Sequence, residues 1–166
     1  MPPPFPAGIL APRFAPAGAR TRRRIGKTEE VTVDLSWGEG CFVCGRDNPE
    51  GLRLTFKVDE ESRAIETVWT PREVHAGYRG VVHGGLVATV LDEVLGKLST
   101  CIGVPAVTAE LTVRYLKPVP TGRPLRVEGR LTRERGRLLL GESRALLEDG
   151  TVAATATAKL MKGSTE

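Results

Sequence analysis

One stretch of the sequence decides the fold: Gly80-Val81-Val82-His83-Gly84-Gly85-Leu86-Val87-Ala88-Thr89-Val90-Leu91-Asp92-Glu93. It opens a segment, from His83 to about Ile102, in which apolar residues recur with the period of an α-helix. At about 100° per residue, the large apolar side chains fall on one face. They are Leu86, Val87, Val90, Leu91, Val94, Leu95 and Leu98. So broad an apolar stripe predicts a helix packed against other elements rather than one lying free in solvent.

The opposite face of this helix carries small residues and one carboxylate. Its members are Gly85, Ala88, Thr89, Asp92, Gly96 and Ser99. A merely solvated face is expected to carry lysine, glutamate and arginine, whereas Glu93 and Lys97 lie only toward its edges. The pattern indicates that another backbone or a narrow ligand comes close to this face, with Asp92 in its middle.

The predicted helix start is His83-Gly84-Gly85. Backbone N–H groups there have no intrahelical acceptor, and each glycine costs about 1 kcal/mol relative to alanine inside a helix. Two glycines in succession indicate that something approaches the backbone closely. Exposed donors at the positive end of the helix dipole suit a developing oxyanion. Gly103 and Pro105 supply the stop signal at the other end.

Six further segments alternate apolar and polar residues or are rich in β-formers. They are residues 52–58, 64–69, 106–115, 124–133, 138–147 and 152–161. Gly129 suggests a bulge in the fourth segment, and Asp149-Gly150 predicts a hairpin turn between the last two. One long helix inserted after the second of about six antiparallel strands is an α+β layout. We expect the sheet to wrap around the central helix, which is the hotdog arrangement.

The start of the chain has a different composition. Residues 1–35 are rich in proline and arginine and sustain no period, so they cannot bury enough apolar surface to offset the ordering of their backbone. We predict a flexible tail over 1–35 and one domain over 36–166. No run of about 18 apolar residues and no signal-peptide pattern is seen, so we expect a cytoplasmic protein without a membrane partner.

The net charge of +4 is concentrated in arginines near the start and between residues 114 and 137. Such charge can favour nucleic acid or a phosphorylated ligand. Only Tyr78 and Tyr115 accompany the second group, which does not support a platform for stacking single-stranded bases. We therefore interpret these arginines as solvated strand faces and expect no nucleic-acid partner.

The three cysteines are too few, and odd in number, for a disulfide framework, which agrees with a reducing compartment. Cys41 and Cys44 form one Cys-x-x-Cys unit. A zinc site needs two more ligands, which we expect only from Cys101, His75 or His83. A disulfide or redox role is a second alternative. We favour packing and turn formation, and predict no resident metal.

Helix geometry places a constraint on any reaction at this helix. His83 and Asp92 are nine residues apart, a rise of about 13 Å and a rotation of roughly half a turn beyond whole turns. The donors at the helix start and the carboxylate of one chain therefore cannot meet at one reacting carbon. If both act, they come from different chains, which predicts a homodimer with two shared sites, alone or as a dimer of dimers.

The pattern Gly-x-x-His-Gly-Gly, with an acidic residue nine after the histidine, resembles the phenylacetate-pathway and 4-hydroxybenzoyl-CoA thioesterase branch of the hotdog superfamily. The resemblance covers roughly residues 41–163. It includes the Cys-x-x-Cys-Gly-x-x-Asn-Pro-x-Gly-Leu entry at 41–52 and the Thr-Ala-Glu-Leu-Thr-Val-Arg-Tyr-Leu-Lys-Pro run at 108–118.

The resemblance implies hydrolysis of an acyl-CoA thioester to CoA and a carboxylic acid. The Gly84 N–H would polarise the thioester carbonyl, and His83 would orient that loop or contact the substrate. Asp92 of the partner chain would act as nucleophile or as general base on water, with Thr108 positioning the water. Substrate contacts are expected from Gly85, Glu93, Tyr78, His75 and Lys117. No metal or cofactor is implied, since coenzyme A is part of the substrate.

One departure from the family pattern lies upstream of the histidine. Relatives often carry an asparagine six residues before it or a glutamine seven before, to assist the oxyanion or the water. Gly77 and Ala76 occupy these positions here. His75 or Tyr78 is a possible substitute, and a slower or differently arranged site is the other alternative.

Two other functions remain open on sequence grounds. A hotdog enoyl-CoA hydratase or dehydratase needs an ionisable histidine base close to an acid, whereas here the acid accompanies a glycine-rich oxyanion site. A non-catalytic acyl-CoA-binding sensor would call for an attached helix-turn-helix, and residues 1–40 have no helical pattern.

Overall fold

The computed structural model describes residues 38–163, so the tail predicted over 1–35 lies outside the described residues. The elements are, in chain order, β1 (Lys57–Asp59), β2 (Ala64–Trp69), a 3-10 turn (Glu73–His75), β3 (Ala76–Tyr78), β4 (Val81–Val82), α1 (Gly84–Cys101), β5 (Ala106–Tyr115), β6 (Leu125–Arg135), β7 (Leu138–Leu146) and β8 (Val152–Lys162). One six-stranded antiparallel sheet has the order β1-β2-β6-β7-β8-β5, and β3 pairs with β4. This arrangement confirms the α+β hotdog prediction.

The helix α1 packs against β2 and against β5 to β8. The apolar face predicted from the sequence is its core face. Five of its side chains are fully buried: Val90, Leu91, Val94, Leu95 and Leu98. Burial of each such side chain stabilises the fold by about 1.5–3 kcal/mol. Within residues 38–163, no helix has both the length and the apolar character needed to cross a membrane.

The bulge predicted at Gly129 lies two residues later, where the β6–β7 register shifts between Leu131 and Arg133. Gly129 has another role. A Cβ at this position would lie 2.9 Å from Cγ2 of Val94 on the helix. Glycine therefore allows the helix to rest directly on the backbone of β6.

The neighbouring strand β7 makes a similar close contact with the helix. A Cβ on Gly141 would lie 2.9 Å from Cδ2 of Leu95. The Ser143 hydroxyl, which is buried, donates a hydrogen bond of 2.8 Å to the Leu91 carbonyl. An apolar contact and a satisfied buried polar group together fix the position of α1 on the sheet.

The first predicted strand, over 52–58, is only partly correct. Only Lys57–Asp59 joins the sheet. Arg53 has a φ of 53°, which interrupts extended backbone. The Leu54 N–H donates instead to the Val43 carbonyl, in the turn-rich entry segment. Leu54 is nevertheless buried between exposed neighbours. The alternation of apolar and polar residues therefore predicts the burial correctly but not the pairing with another strand.

The arginines of β6 and β7, the two central strands of the sheet, lie among glutamates. Arg126 and Arg144 both pair with Glu128, at 2.9 and 2.7 Å, and Arg130 pairs with Glu142. These arginines are exposed, so each pair contributes at most about 1 kcal/mol. They form the solvated strand face that the sequence predicted.

Candidate active site

The helix α1 starts with a cap made by its own histidine. His83 is the N-cap, and its Nδ1 accepts a hydrogen bond of 3.0 Å from the Gly85 N–H. A Cβ on Gly85 would lie 3.0 Å from that nitrogen. The group that approaches the backbone closely at Gly85 is therefore the imidazole of His83. The Gly84 N–H belongs to the first helical residue, which has no intrahelical acceptor.

Tyr115, at the end of β5, contacts this helix start. Its hydroxyl donates a hydrogen bond of 2.8 Å to the Gly84 carbonyl. A Cβ on Gly84 would lie 3.4 Å from the Tyr115 ring, an ordinary contact. The tyrosine thus fixes the Gly84 residue from the strand side. The sequence alone does not indicate a site role for Tyr115, because a contact between residues 31 apart leaves no local pattern.

A cleft of about 590 Å³ opens beside the helix start. Its lining consists of Gly77, Tyr78, Val81, Val82, His83, Gly84 and residues 115–119. Four of the predicted site residues meet here, namely Tyr78, His83, Gly84 and Lys117. Tyr78 is 83% exposed and Lys117 is also exposed, so both are accessible to a ligand in the cleft.

Gly77 occupies the position where relatives often carry an asparagine. A Cβ there would lie 3.1 Å from the Cα of His83 and 3.2 Å from its Cδ2. Any larger residue at this position would therefore require His83 to move. The glycine at this position, which departs from the family pattern, allows His83 to pack closely against it.

A second part of the candidate site lies in the middle of α1. The Thr108 hydroxyl, from β5, donates a hydrogen bond of 2.7 Å to Oδ1 of Asp92. Both residues are half-buried, and the β5–β8 register shifts between Thr108 and Glu110. The bond fixes the orientation of the carboxylate. Among residues 38–163, those that line the cleft include neither Asp92 nor Thr108.

The side chain of His75 lies in a different cavity, of about 410 Å³, beside Trp69. Its Nδ1 accepts the Arg72 N–H at 2.9 Å, and its ring centroid is 5.3 Å from that of Trp69. Burial lowers the pKa of His75, and the positive charge of Arg72 lowers it further. The carbonyl of His75 contacts the helix start, by accepting the His83 N–H at 2.9 Å.

Glu93 faces away from the cleft, toward the Cys-x-x-Cys turn. The Sγ of Cys41 lies 3.9 Å from both carboxylate oxygens of Glu93. Among residues 38–163, the group that could hold a metal contains Cys41, Cys44 and Glu93. The further ligands expected from Cys101, His75 or His83 do not join it, and no local pattern in the sequence indicates Glu93 as a ligand.

Comparison with known proteins supports the fold described above. Residues 79–154 match the family model of the thioesterase superfamily. The solved structure of a thioesterase superfamily protein superposes with a TM-score of 0.71 at 26% identity, over 81% of this chain and 68% of that one. The family match over residues 79–154 and this superposition support the hotdog thioesterase superfamily, which the resemblance of the helix motif predicted.

Among curated proteins, the chain is similar to acyl-coenzyme A thioesterase THEM4 of Mus musculus. The two are 34% identical over 87 residues, which make up 52% of this chain and 37% of that protein. The chain covers 37–51% of the lengths of the THEM4 relatives from mouse, cow and frog.

The fold also matches a hypothetical thioesterase protein from Streptococcus pneumoniae TIGR4 that was solved with coenzyme A. That match has a TM-score of 0.63 at 18% identity, over 68% of this chain and 88% of the other. The same protein was solved as an aspartate-to-alanine and as a threonine-to-alanine variant.

Proposed function

We propose that the chain hydrolyses an acyl-CoA thioester to CoA and a carboxylic acid, at sites shared between two copies of the chain. The observation that carries this proposal is the 2.7 Å hydrogen bond from Thr108 to Asp92. It holds a carboxylate on the small-residue face of α1, about 13 Å along the helix from His83. The name of the THEM4 relative, an acyl-coenzyme A thioesterase, supports the reaction class.

The helix start would supply the oxyanion half of the site. The Gly84 N–H, at the positive end of the helix dipole, would donate to the thioester oxygen as it gains negative charge. Nδ1 of His83 already accepts a hydrogen bond from the Gly85 N–H, and the Tyr115 hydroxyl donates one to the Gly84 carbonyl. Both side chains would therefore act as positioning residues. The ammonium of Lys117, in the same cleft, suits a phosphate of CoA.

The middle of the helix in the partner chain would supply the carboxylate half. As a general base, Asp92 takes a proton from a water whose oxygen attacks the thioester carbon. The C–S bond then breaks and the CoA sulfur is released as a thiol after it takes up a proton. As a nucleophile, Asp92 itself attacks the thioester carbon, and the C–S bond breaks to release CoA, whose sulfur takes up a proton. Water then hydrolyses the resulting anhydride. Both routes consume one water and need Asp92 ionised.

The role of Thr108 follows from its hydrogen bond. Its proton is engaged by Asp92, which leaves the lone pairs of its oxygen to accept a bond from water. In the Streptococcus pneumoniae protein, the aspartate and threonine that were changed lie 16 residues apart, the same separation as Asp92 and Thr108. This spacing supports the assignment of the pair as a unit.

A panel of short, medium and aromatic acyl-CoAs, followed by release of free thiol, tests the reaction and identifies the acyl group. We expect thiol release with at least one class, and a rate lower by about 10²–10⁴-fold after Asp92→Asn. Hydration of an enoyl-CoA without thiol release would instead favour the hydratase alternative. Saturable binding without turnover would favour a sensor.

The shared site requires an oligomer. Light scattering of the active protein is expected to give the mass of a dimer or of a dimer of dimers. An active enzyme that remains strictly monomeric at assay concentration would contradict the shared site while leaving the reaction class intact.

A further inference from the structure

The entry turn of the domain brings two thiols against one carboxylate of the helix. The ligand atoms of Cys41, Cys44 and Glu93 all lie within 4.8 Å of one another, and all three residues are half-buried. The cysteines precede the sheet, whereas Glu93 lies 52 residues beyond Cys41. The cluster therefore depends on the tertiary fold.

The turn itself has the geometry of a chelating loop. The Val43 N–H donates to the Sγ of Cys41 at 3.3 Å, and the Gly45 N–H donates to the Cys41 carbonyl at 2.9 Å. A Cβ on Gly45 would lie 2.3 Å from the Glu39 carbonyl oxygen, so only glycine permits this close turn. The turn therefore holds the Cys41 sulfur beside the carboxylate of Glu93.

The three groups are close enough to share one cation, since their ligand atoms lie within 4.8 Å of one another. A divalent cation would replace the thiol protons, because its charge offsets the repulsion between thiolate sulfur and carboxylate.

We propose that Cys41, Cys44 and Glu93 bind one thiophilic divalent cation of the zinc class. Two thiolates and a carboxylate are a ligand set that zinc accepts, and water would complete the tetrahedron. Ligands about 2.3 Å from a tetrahedral metal lie about 3.8 Å apart. The Sγ of Cys41 is already 3.9 Å from the Glu93 oxygens, so the cluster needs to contract by only about 1 Å at most.

The bound cation would connect the entry turn to the middle of α1, one residue after Asp92. Binding releases the thiol protons to solvent and involves no redox step. The site is separate from the cleft at the helix start, so it can be tested without an activity measurement.

Titration of the full, reduced chain with Co²⁺ tests the proposal. We expect uptake of one Co²⁺ per chain, with the near-ultraviolet charge-transfer absorption of cobalt–thiolate bonds and displacement by Zn²⁺. Cys41→Ser and Cys44→Ser should lose most of this absorption, and Glu93→Gln should weaken binding. Cys101→Ser removes an exposed thiol outside the cluster and should leave the spectrum unchanged.

A measurement on the unaltered chain covers the case in which the serine variants do not fold. Zn²⁺ should slow alkylation of Cys41 and Cys44 by about tenfold or more, while Cys101 reacts at the same rate with and without metal. Equal alkylation of all three thiols with and without Zn²⁺ would overturn the proposal. Absence of a cobalt–thiolate band in the unaltered chain would do so as well.

Discussion

The two halves of the candidate site lie on the same helix but are built in different ways. At the helix start, the groups are backbone N–H and C=O of consecutive residues, capped by His83. In the middle of the helix, the group is the side chain of Asp92, and Thr108 from another element orients it. The first half is therefore encoded by a local run of residues, whereas the second exists only once β5 has packed on α1. Side-chain changes remove the second half directly, and only a change in the backbone itself removes the first.

Loss of the Asp92 carboxylate is expected to have the largest effect. Asp92→Asn keeps the shape and removes the charge that either mechanism needs, so kcat should fall by about 10²–10⁴-fold. Steady-state thiol release measures this. Glu148→Gln removes an exposed carboxylate of the β7–β8 hairpin and serves as the control, expected to keep the activity of the unaltered chain.

Loss of one backbone hydrogen-bond donor is expected to cause the second-largest fall in kcat. Gly84 is the first helical residue, where proline is tolerated, and His83 has the φ of −59° and ψ of 128° that a residue before proline prefers. Gly84→Pro should therefore remove the N–H without breaking the helix, and lower kcat by about 10²–10³-fold. Gly84→Ala keeps the N–H and should retain most activity. Equal kcat for the two variants would exclude the Gly84 N–H as the oxyanion donor.

Loss of the Thr108 hydroxyl should have an intermediate effect. Thr108→Val keeps the shape and removes a hydrogen bond to a charged group worth about 1.5–3 kcal/mol, so kcat should fall by about 10–100-fold. Thr108→Ser retains the hydroxyl and should recover most of the rate. If valine and serine behaved alike, the side-chain volume of Thr108 rather than its bond to Asp92 would matter.

The smallest effect is expected at Tyr115. Tyr115→Phe removes the hydrogen bond to the Gly84 carbonyl, which is worth about 1 kcal/mol, so kcat should fall about fivefold. KM should change less, because the ring remains in the cleft. A change confined to KM would assign Tyr115 to substrate binding instead of to positioning of the helix start.

The fold could largely be predicted from the sequence because its main elements have strong periodic patterns. The helix and five of the six sheet strands were found, and the Asp149-Gly150 turn has the expected positive φ of 83° at its glycine. The pair β3–β4 was missed because strands of two or three residues sustain no period. The strand predicted over 52–58 is too long, because alternating apolar and polar residues indicate which side chains are buried and not whether the backbone pairs with another strand.

The candidate site could be predicted only in part. The amino-acid types alone singled out Gly84 and Asp92, and their separation along the helix follows from helix geometry. The contacts of Tyr115 with Gly84 and of Cys41 with Glu93 join residues 31 and 52 apart, so only the folded chain reveals them. Local sequence identifies chemical groups, whereas tertiary packing decides which of them meet.

The central claim, that the two halves act across subunits, is tested most directly by a mixed dimer. Differently tagged Asp92→Asn and Gly84→Pro chains are co-expressed, and the heterodimer is isolated by sequential affinity purification. In a shared site, the heterodimer combines an intact Gly84 from one chain with an intact Asp92 from the other. We predict that it recovers about half the kcat of the unaltered dimer, because one of two sites is whole. A heterodimer as inactive as either parent would contradict the account.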